Sequence, residues 1–354
     1  MKQHTGKYRS KKLPRLLFIT LLLVTLTGCG QSVETKQDHV EENPNIQIGF
    51  TMDSFLIERW QRDRDVFVSK AKRLGADVNV QNANGSLEEQ ISQINYFIEK
   101  DVDVIVVVAT DCEGLSEAIL KAKKEGIPVV AYDRLINRAN VDAFVSFDNQ
   151  MVGELMGRAI ADKLPEGGNI LMMNGPLTDS NVPFVMEGFQ QAIADKNINI
   201  LDTGYAANWR AEDAFDFTGN YLSREEAVIP DAIMCGNDSL AGQATKALAE
   251  RRLAGKVIVT GQDADLDACQ RIVEGTQYMT VYKPVEKLAE RAAEIAVALA
   301  VNEPINTSDT IHDGTYDVPY EKLTPVAVTK ENIDEVIIGS YHQRKEVYLN
   351  VREE

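Results

Sequence analysis

SLEEQISQINYFIEK (86–100), VDVIVVVA (102–109) and IPVVAYDR (127–134) decide the fold of this chain. The first segment is an amphipathic helix that opens on a capping box, Ser86 to Glu89. The second is a continuous apolar run, suited to a strand buried on both faces, and such strands belong to parallel sheets with helices on either side. The third ends on two charged residues, Asp133 and Arg134.

The same alternation extends in both directions. Upstream lie a strand, IQIGF (46–50), and a helix whose stripe is Trp60, Phe67, Ala71 and Leu74, with Gly75 as its C-cap. The strand DVNVQNA (77–83) follows, and a helix is expected over 113–125 before VDAFVSFD (141–148). Helices are then expected over 150–163, 182–195 and 211–223, interleaved with NILMMNG (169–175), INILDTGYA (198–206), DAIMCGND (231–238), KVIVTGQD (256–263) and YMTVYK (278–283). An Ala-rich helix over 284–301 starts with proline, where a missing N–H costs nothing. The tail 318–338 reads as one or two strands and a short helical turn. The expectation is an α/β chain of two comparable halves joined by ordered crossovers near 148, 283 and 315.

The chain has 354 residues, 44% of them hydrophobic, with 37 Lys+Arg against 54 Asp+Glu and a net charge of −17. That is a globular composition, and its acidity argues against nucleic acid, whose binding needs a basic surface to release counterions. Residues 1–28 differ: six Lys/Arg and no acid in the first 15 precede the apolar run LLFITLLLVTLTG. This reads as a secretory signal. The run of about 13 residues is shorter than the 20 or so a spanning helix needs, and it ends at Cys29. Small residues ahead of that cysteine resemble a lipobox, which would place a lipid on Cys29 and anchor an extracytoplasmic protein to the cell membrane. Residues 29–44, polar and acidic, read as a flexible tether. Cys112, Cys235 and Cys269 are odd in number, lack metal-ligand spacing and read as buried small hydrophobes.

In doubly wound sheets ligands bind beyond the carboxyl ends of the strands. Polar residues cluster there: Asp133 and Arg134, Asp179 and Asn181, Asn237, Asp263 and Lys283. Any one Asp or Asn could simply cap the next helix, but the two cations are not caps. Carboxylates, amides and cations together suit a neutral polyhydroxylated ligand, because each hydroxyl both donates and accepts. The chain's two tryptophans, Trp60 and Trp209, each begin a helix, and a flat ring suits the C–H face of a sugar. GxSxG, HExxH and GxxxxGK[ST] patterns are missing, and His4, His39, His312 and His342 lie outside these segments. No cofactor is expected. A partial calcium-loop spacing, Asp263, Asp265, Asp267 and Glu274, has Ala268 where glycine is required, so no metal is expected either. A glycosidase acting through two carboxylates is the weaker alternative.

ERWQRDRDVFV (58–68), QNANG (81–85), VVAYDRLI (129–136), SFDNQMVGEL (146–155), GQDADL (261–266) and TQYMTVYKP (276–284) occur together in an order that resembles the periplasmic sugar-binding proteins of ABC transporters, most closely members that bind D-xylose. The resemblance runs from about residue 46 to 338. It implies the type I periplasmic binding protein fold, two Rossmann-like lobes with mostly parallel sheets joined by a three-crossover hinge. The first lobe would comprise 45–147 and 284–314, the second 148–283 and 315–342. It also implies a site. Arg59, Trp60, Asp133 and Arg134 of the first lobe would face Asp179, Asn181, Trp209, Asn237, Asp263 and Lys283 of the second, with Trp60 and Trp209 sandwiching a sugar ring. IGFTMDSFLIERW (48–60) departs from the family form near Asp53, so Asp53 and Phe55 are left out of the expected contacts. The implied partner is an ABC permease, or alternatively a membrane sensor kinase or chemoreceptor; a monomer is expected. Repressors that share this fold begin with a helix-turn-helix, whereas this chain begins with the lipobox-like segment and is acidic, so DNA binding is not expected.

Overall fold

The computed structural model describes residues 46–351; the signal segment, the tether and Cys29 lie outside the described residues. In the first half, strands β1 (Ile46–Met52), β2 (Ala76–Asn82), β3 (Val104–Val107), β4 (Val129–Tyr132) and β5 (Ala143–Phe147) alternate with helices α1 (Arg59–Arg73), α2 (Leu87–Glu99) and α3 (Ser116–Lys124). In the second half, α4 (Asn149–Lys163), α5 (Asn181–Ile193), α6 (Glu212–Leu222), α7 (Asp238–Glu250) and α8 (Leu266–Glu274) alternate with β6 (Gly168–Asn174), β7 (Ile198–Tyr205), β8 (Ala232–Cys235), β9 (Ile258–Gln262) and β10 (Met279–Tyr282). The chain closes with α9 (Val285–Ala300), β11 (Asp309–His312), β12 (Asp317–Leu323), β13 (Val326–Thr329), α10 (Ile333–Val336) and α11 (Arg344–Val347).

Two sheets result. One has the order β11-β12-β5-β4-β3-β1-β2 and the other β13-β10-β9-β8-β6-β7. Every pairing is parallel except the two edge pairs, β11 with β12 and β13 with β10. The apolar run that decides the fold behaves as its composition requires. Val104, Val106 and Val108 enter the cluster that holds Phe67 of α1 and Leu288 and Ala292 of α9, while Ile105, Val107 and Ala109 enter the one that holds Ile94, Phe97 and Ile119 of α2 and α3. Ser86 caps α2 by accepting the Glu89 N–H at 3.2 Å. Gly49 has no alternative residue, because a Cβ there would sit 2.5 Å from the Phe97 ring. In the second lobe α4 and α5 meet backbone to backbone: a Cβ on Gly153 would lie 1.9 Å from the Val185 carbonyl oxygen.

Two expectations need correction. Leu74 is 38% exposed while Trp60, Phe67 and Ala71 are buried, because α1 ends at Arg73 and Leu74 already turns away as its C-cap. The third crossover lies between β12 and β13, after Leu323, and not near 315. Strand β12 pairs in parallel with β5, so 317–323 belongs to the first sheet, not to the second lobe. Asp313 explains why this segment stays. Its carboxylate accepts N–H groups from Ala139 (3.0 Å) and Asn140 (2.8 Å) of the first lobe and from Thr315 (2.9 Å) and Tyr316 (2.7 Å) of its own hairpin. Arg138 N–H also donates to the Asp313 carbonyl at 2.8 Å. Sequence periodicity carries no signal for such a bolt.

Burial alone would raise the Asp313 carboxyl, and the backbone N–H donors of Asn140, Tyr316, Thr315 and Ala139 more than reverse it, holding it below the usual carboxylate range. A carboxyl depressed in the folded state stabilises fully above its unfolded value, near 4, and loses that contribution as pH falls through the folded value. Asp313→Ala should therefore lower stability by about 2 kcal/mol or more at pH 7, measured by urea unfolding. The difference from wild type should shrink below about pH 4.

Candidate ligand-binding site

Seven strands of the two sheets deliver a polar or aromatic residue just past their carboxyl ends, and those ends converge. In the first lobe β1 is followed by Asp53 and the start of α1, where Arg59 and Trp60 sit, and β4 by Asp133 and Arg134. In the second, β6 leads to Asp179 and Asn181, β7 to Trp209, β8 to Asn237, β9 to Asp263 and β10 to Lys283. All of these residues are buried, none exposed beyond 9%.

The two halves hold their central carboxylates in the same way. Asp133 and Asp263 each come directly after a strand, with φ of 65° and 101°. Each donates its N–H at 2.8 Å to the neighbouring strand, Asp133 to the Val145 carbonyl and Asp263 to that of Val281. Positive φ is uncommon for a residue other than glycine, and such strained positions concentrate at functional sites.

Opposite charges then alternate across the gap. Arg59 Nη1 donates to Asp133 Oδ2 at 2.9 Å and lies 4.0 Å from Asp263 Oδ1 of the other lobe. Asp263 in turn pairs with Lys283 Nζ at 2.7 Å. On the other side Arg134 Nη1 donates to Asp53 Oδ2 and to the Ala109 carbonyl, both at 2.8 Å. Its Nε lies 2.7 Å from Asp179 Oδ2 of the second lobe. Asp179 also accepts from Trp209 Nε1 at 3.1 Å, and Asn181 Nδ2 reaches back to Asp133 Oδ1 at 3.1 Å.

Burial tends to raise the Asp133 carboxyl, but Arg59, Lys283 and Arg134 outweigh it and hold Asp133 below the usual range, so it is an anion at neutral pH. Asp179 goes the other way, because burial there is only partly offset by Arg134. The guanidinium of Arg59 lies 4.5 Å from the centre of the Trp60 ring and that of Arg134 5.6 Å from it. Trp209 stands on a 3₁₀ turn, Ala207–Trp209, with φ of 58°, and packs over Gly175, where a Cβ would fall 2.3 Å from the indole.

Nine of the ten candidate residues are thus linked by contacts, and Asn237 stands at the end of β8, between β6 and β9. Asn237 has both of its readings at once: Oδ1 caps α7 by accepting the Leu240 N–H at 2.9 Å, while Nδ2 is buried with no partner. Arg134 Nη2, Gln262 Oε1 and Trp60 Nε1 are likewise buried and unpartnered. Buried polar atoms in native proteins almost always have a partner, so four such atoms among these strand ends make this region the candidate ligand site. Three residues were missed. Asp53 belongs to the cluster, and its place just after a strand was the available signal. Asp63 stands four residues from Arg59, the spacing of a helical ion pair. Gln262, the last residue of β9, lines a narrow cleft with Trp209, Asn181 and Gly236.

Two α/β lobes with a buried, charge-paired site between them are the architecture of a solute-binding protein. The chain belongs to the periplasmic binding protein domain family, whose model matches residues 48–304. It is 44% identical to the D-xylose-binding periplasmic protein of Haemophilus influenzae and 42% identical to that of Escherichia coli K12, in each case over 92% of this chain and 98% of the relative. Among solved structures, an ABC transporter solute-binding protein from Clostridium phytofermentans with bound β-D-glucose superposes with a TM-score of 0.78 at 26% identity, covering 85% of this chain and 99% of that one. One from Chloroflexus aurantiacus in complex with D-glucose also gives 0.78 at 26% identity, over 85% and 98%.

Gly175→Ala should displace the Trp209 ring and break its bond to Asp179. With both tryptophans buried in the wild type, the expected result is a red-shifted tryptophan emission and a stability loss of about 1–3 kcal/mol. An unchanged spectrum would contradict this packing.

Proposed function

We propose that this protein is an extracytoplasmic solute-binding lipoprotein that captures D-xylose between its two lobes and delivers it to an ABC importer. The observation that carries the reading is the buried set of unpartnered donors and acceptors, Arg134 Nη2, Asn237 Nδ2 and Gln262 Oε1, among charge-paired carboxylates on both lobes. A neutral ligand with several hydroxyls fills that demand, since each hydroxyl both donates and accepts and adds no further buried charge. The names of the two relatives above 40% identity point to the pentose. Trp60 and Trp209 would bracket the ring, Asp133, Asp263 and Asn237 would pair with hydroxyls, and Arg59, Arg134 and Lys283 would polarise the network. Cys29 would carry the lipid, residues 29–44 would tether the monomer to the membrane, and a permease would read the closed form.

The mechanism is a two-state clamp. Sugar contacts both lobes only when they are closed, so binding shifts the population toward closure. Calorimetric titration with xylose, glucose, ribose, arabinose and galactose should give tight one-to-one binding of xylose with no conversion to product. Asp133→Ala or Asp263→Ala should weaken that binding by about 2 kcal/mol or more, since a cation and a hydroxyl lose their partner in a buried site. Unchanged affinity in both variants would remove the site, and release of xylose from an aryl xyloside would favour a glycosidase.

A further inference from the structure

Behind the site, away from the facing lobes, lies a second layer of buried polar groups that the ligand reading does not use. Asp63 takes Arg59 in a fork: Nε donates to Oδ2 at 3.0 Å and Nη2 to Oδ1 at 2.8 Å. The Tyr132 hydroxyl donates to the same Oδ1. Asp63 and Tyr132 have no exposed surface, and Tyr132 packs 5.8 Å from the Phe50 ring and 6.4 Å from the Phe67 ring in the apolar core.

We propose that Asp63 and Tyr132 are positioning residues that aim the guanidinium of Arg59 at the ligand and at the opposite lobe. The geometry leaves little else for them to do. A guanidinium has five N–H donors in a rigid plane, so fixing the Nε and Nη2 edge fixes where Nη1 points. Here Nη1 points at Asp133 of its own lobe, 2.9 Å away, and toward Asp263 of the other, 4.0 Å away. Adjacent residues of one strand end grip the arginine from both sides: Tyr132 secures Asp63 behind it and Asp133 holds it in front. Burial weakens the Asp63 anion and raises its carboxyl, and Arg59 and the Tyr132 hydroxyl are the groups that counter this. Burial also keeps the Tyr132 phenol protonated, so that it remains a donor. A buried ion pair is a poor source of stability compared with apolar packing of the same volume. Orientation of Arg59 is what this arrangement adds.

The inference rests on the monosaccharide reading of the site, and its test separates the two. D-Xylose affinity and thermal stability are measured for wild type, Tyr132→Phe, Arg59→Lys and the double variant. Tyr132→Phe keeps the ring and removes one hydroxyl; it should weaken xylose binding about tenfold in the wild-type background. In the Arg59→Lys background it should weaken binding less than twofold, because a lysine has no fork to aim. Asp63→Asn is the second probe and should behave in the same way. An equal loss in both backgrounds would assign the pair a structural role only, and wild-type affinity in Tyr132→Phe and Asp63→Asn would overturn the inference while leaving the site intact. A wild type that binds no monosaccharide overturns the functional reading first, and this inference with it.

Discussion

The structure turns on the pairing of Arg134 with two carboxylates, Asp53 of its own lobe and Asp179 of the other, at 2.8 and 2.7 Å. A buried cation without a counter-charge is strongly destabilising, so a clamp that opens and shuts cannot strand one in either state. The arrangement here meets that constraint on both sides. Arg134 keeps Asp53, Arg59 keeps Asp63 and Asp133, and Lys283 keeps Asp263, each within its own lobe. Asp179 keeps Trp209 Nε1 and the Asn181 N–H. Closure adds pairs across the gap, giving Asp179 its cation, Arg134 of the other lobe, and the ligand's hydroxyls tip the balance further.

The fold supplies this by repetition. Two doubly wound sheets present their strand ends to one another, and the same device, an aspartate of positive φ tied to the next strand, appears in each as Asp133 and Asp263. Side chains from loops after β1, β4, β6, β7, β8, β9 and β10 therefore meet without any of them being close in sequence. Rigid strands fix where each loop begins, and the chain crosses between the two sheets after β5, at Pro284 and after β12.

Much of this was legible in the chain because strand ends are legible. VDVIVVVA reads as a doubly covered strand, and the polar residues after such strands fall where ligands bind in this architecture. The cap reading and the ligand reading of Asn237 proved compatible, since its amide has one end for each. What escaped was of another kind. Asp53 was set aside because its surrounding segment departs from the family form, although its position past β1 qualified it. The third crossover was misplaced because the Asp313 bolt involves backbone N–H groups, which every residue but proline has. The fork between Asp63 and Arg59 had its i, i+4 spacing, but only the fold shows that Tyr132 backs it.

The central claim is that ligand closes the two lobes on one another. X-ray scattering of the purified protein with and without saturating D-xylose tests it most directly. The account predicts a smaller radius of gyration and maximum dimension with xylose, and a profile that stays open in Asp179→Ala even when sugar is added. Identical profiles with and without xylose, in a protein shown to bind it, would contradict the clamp.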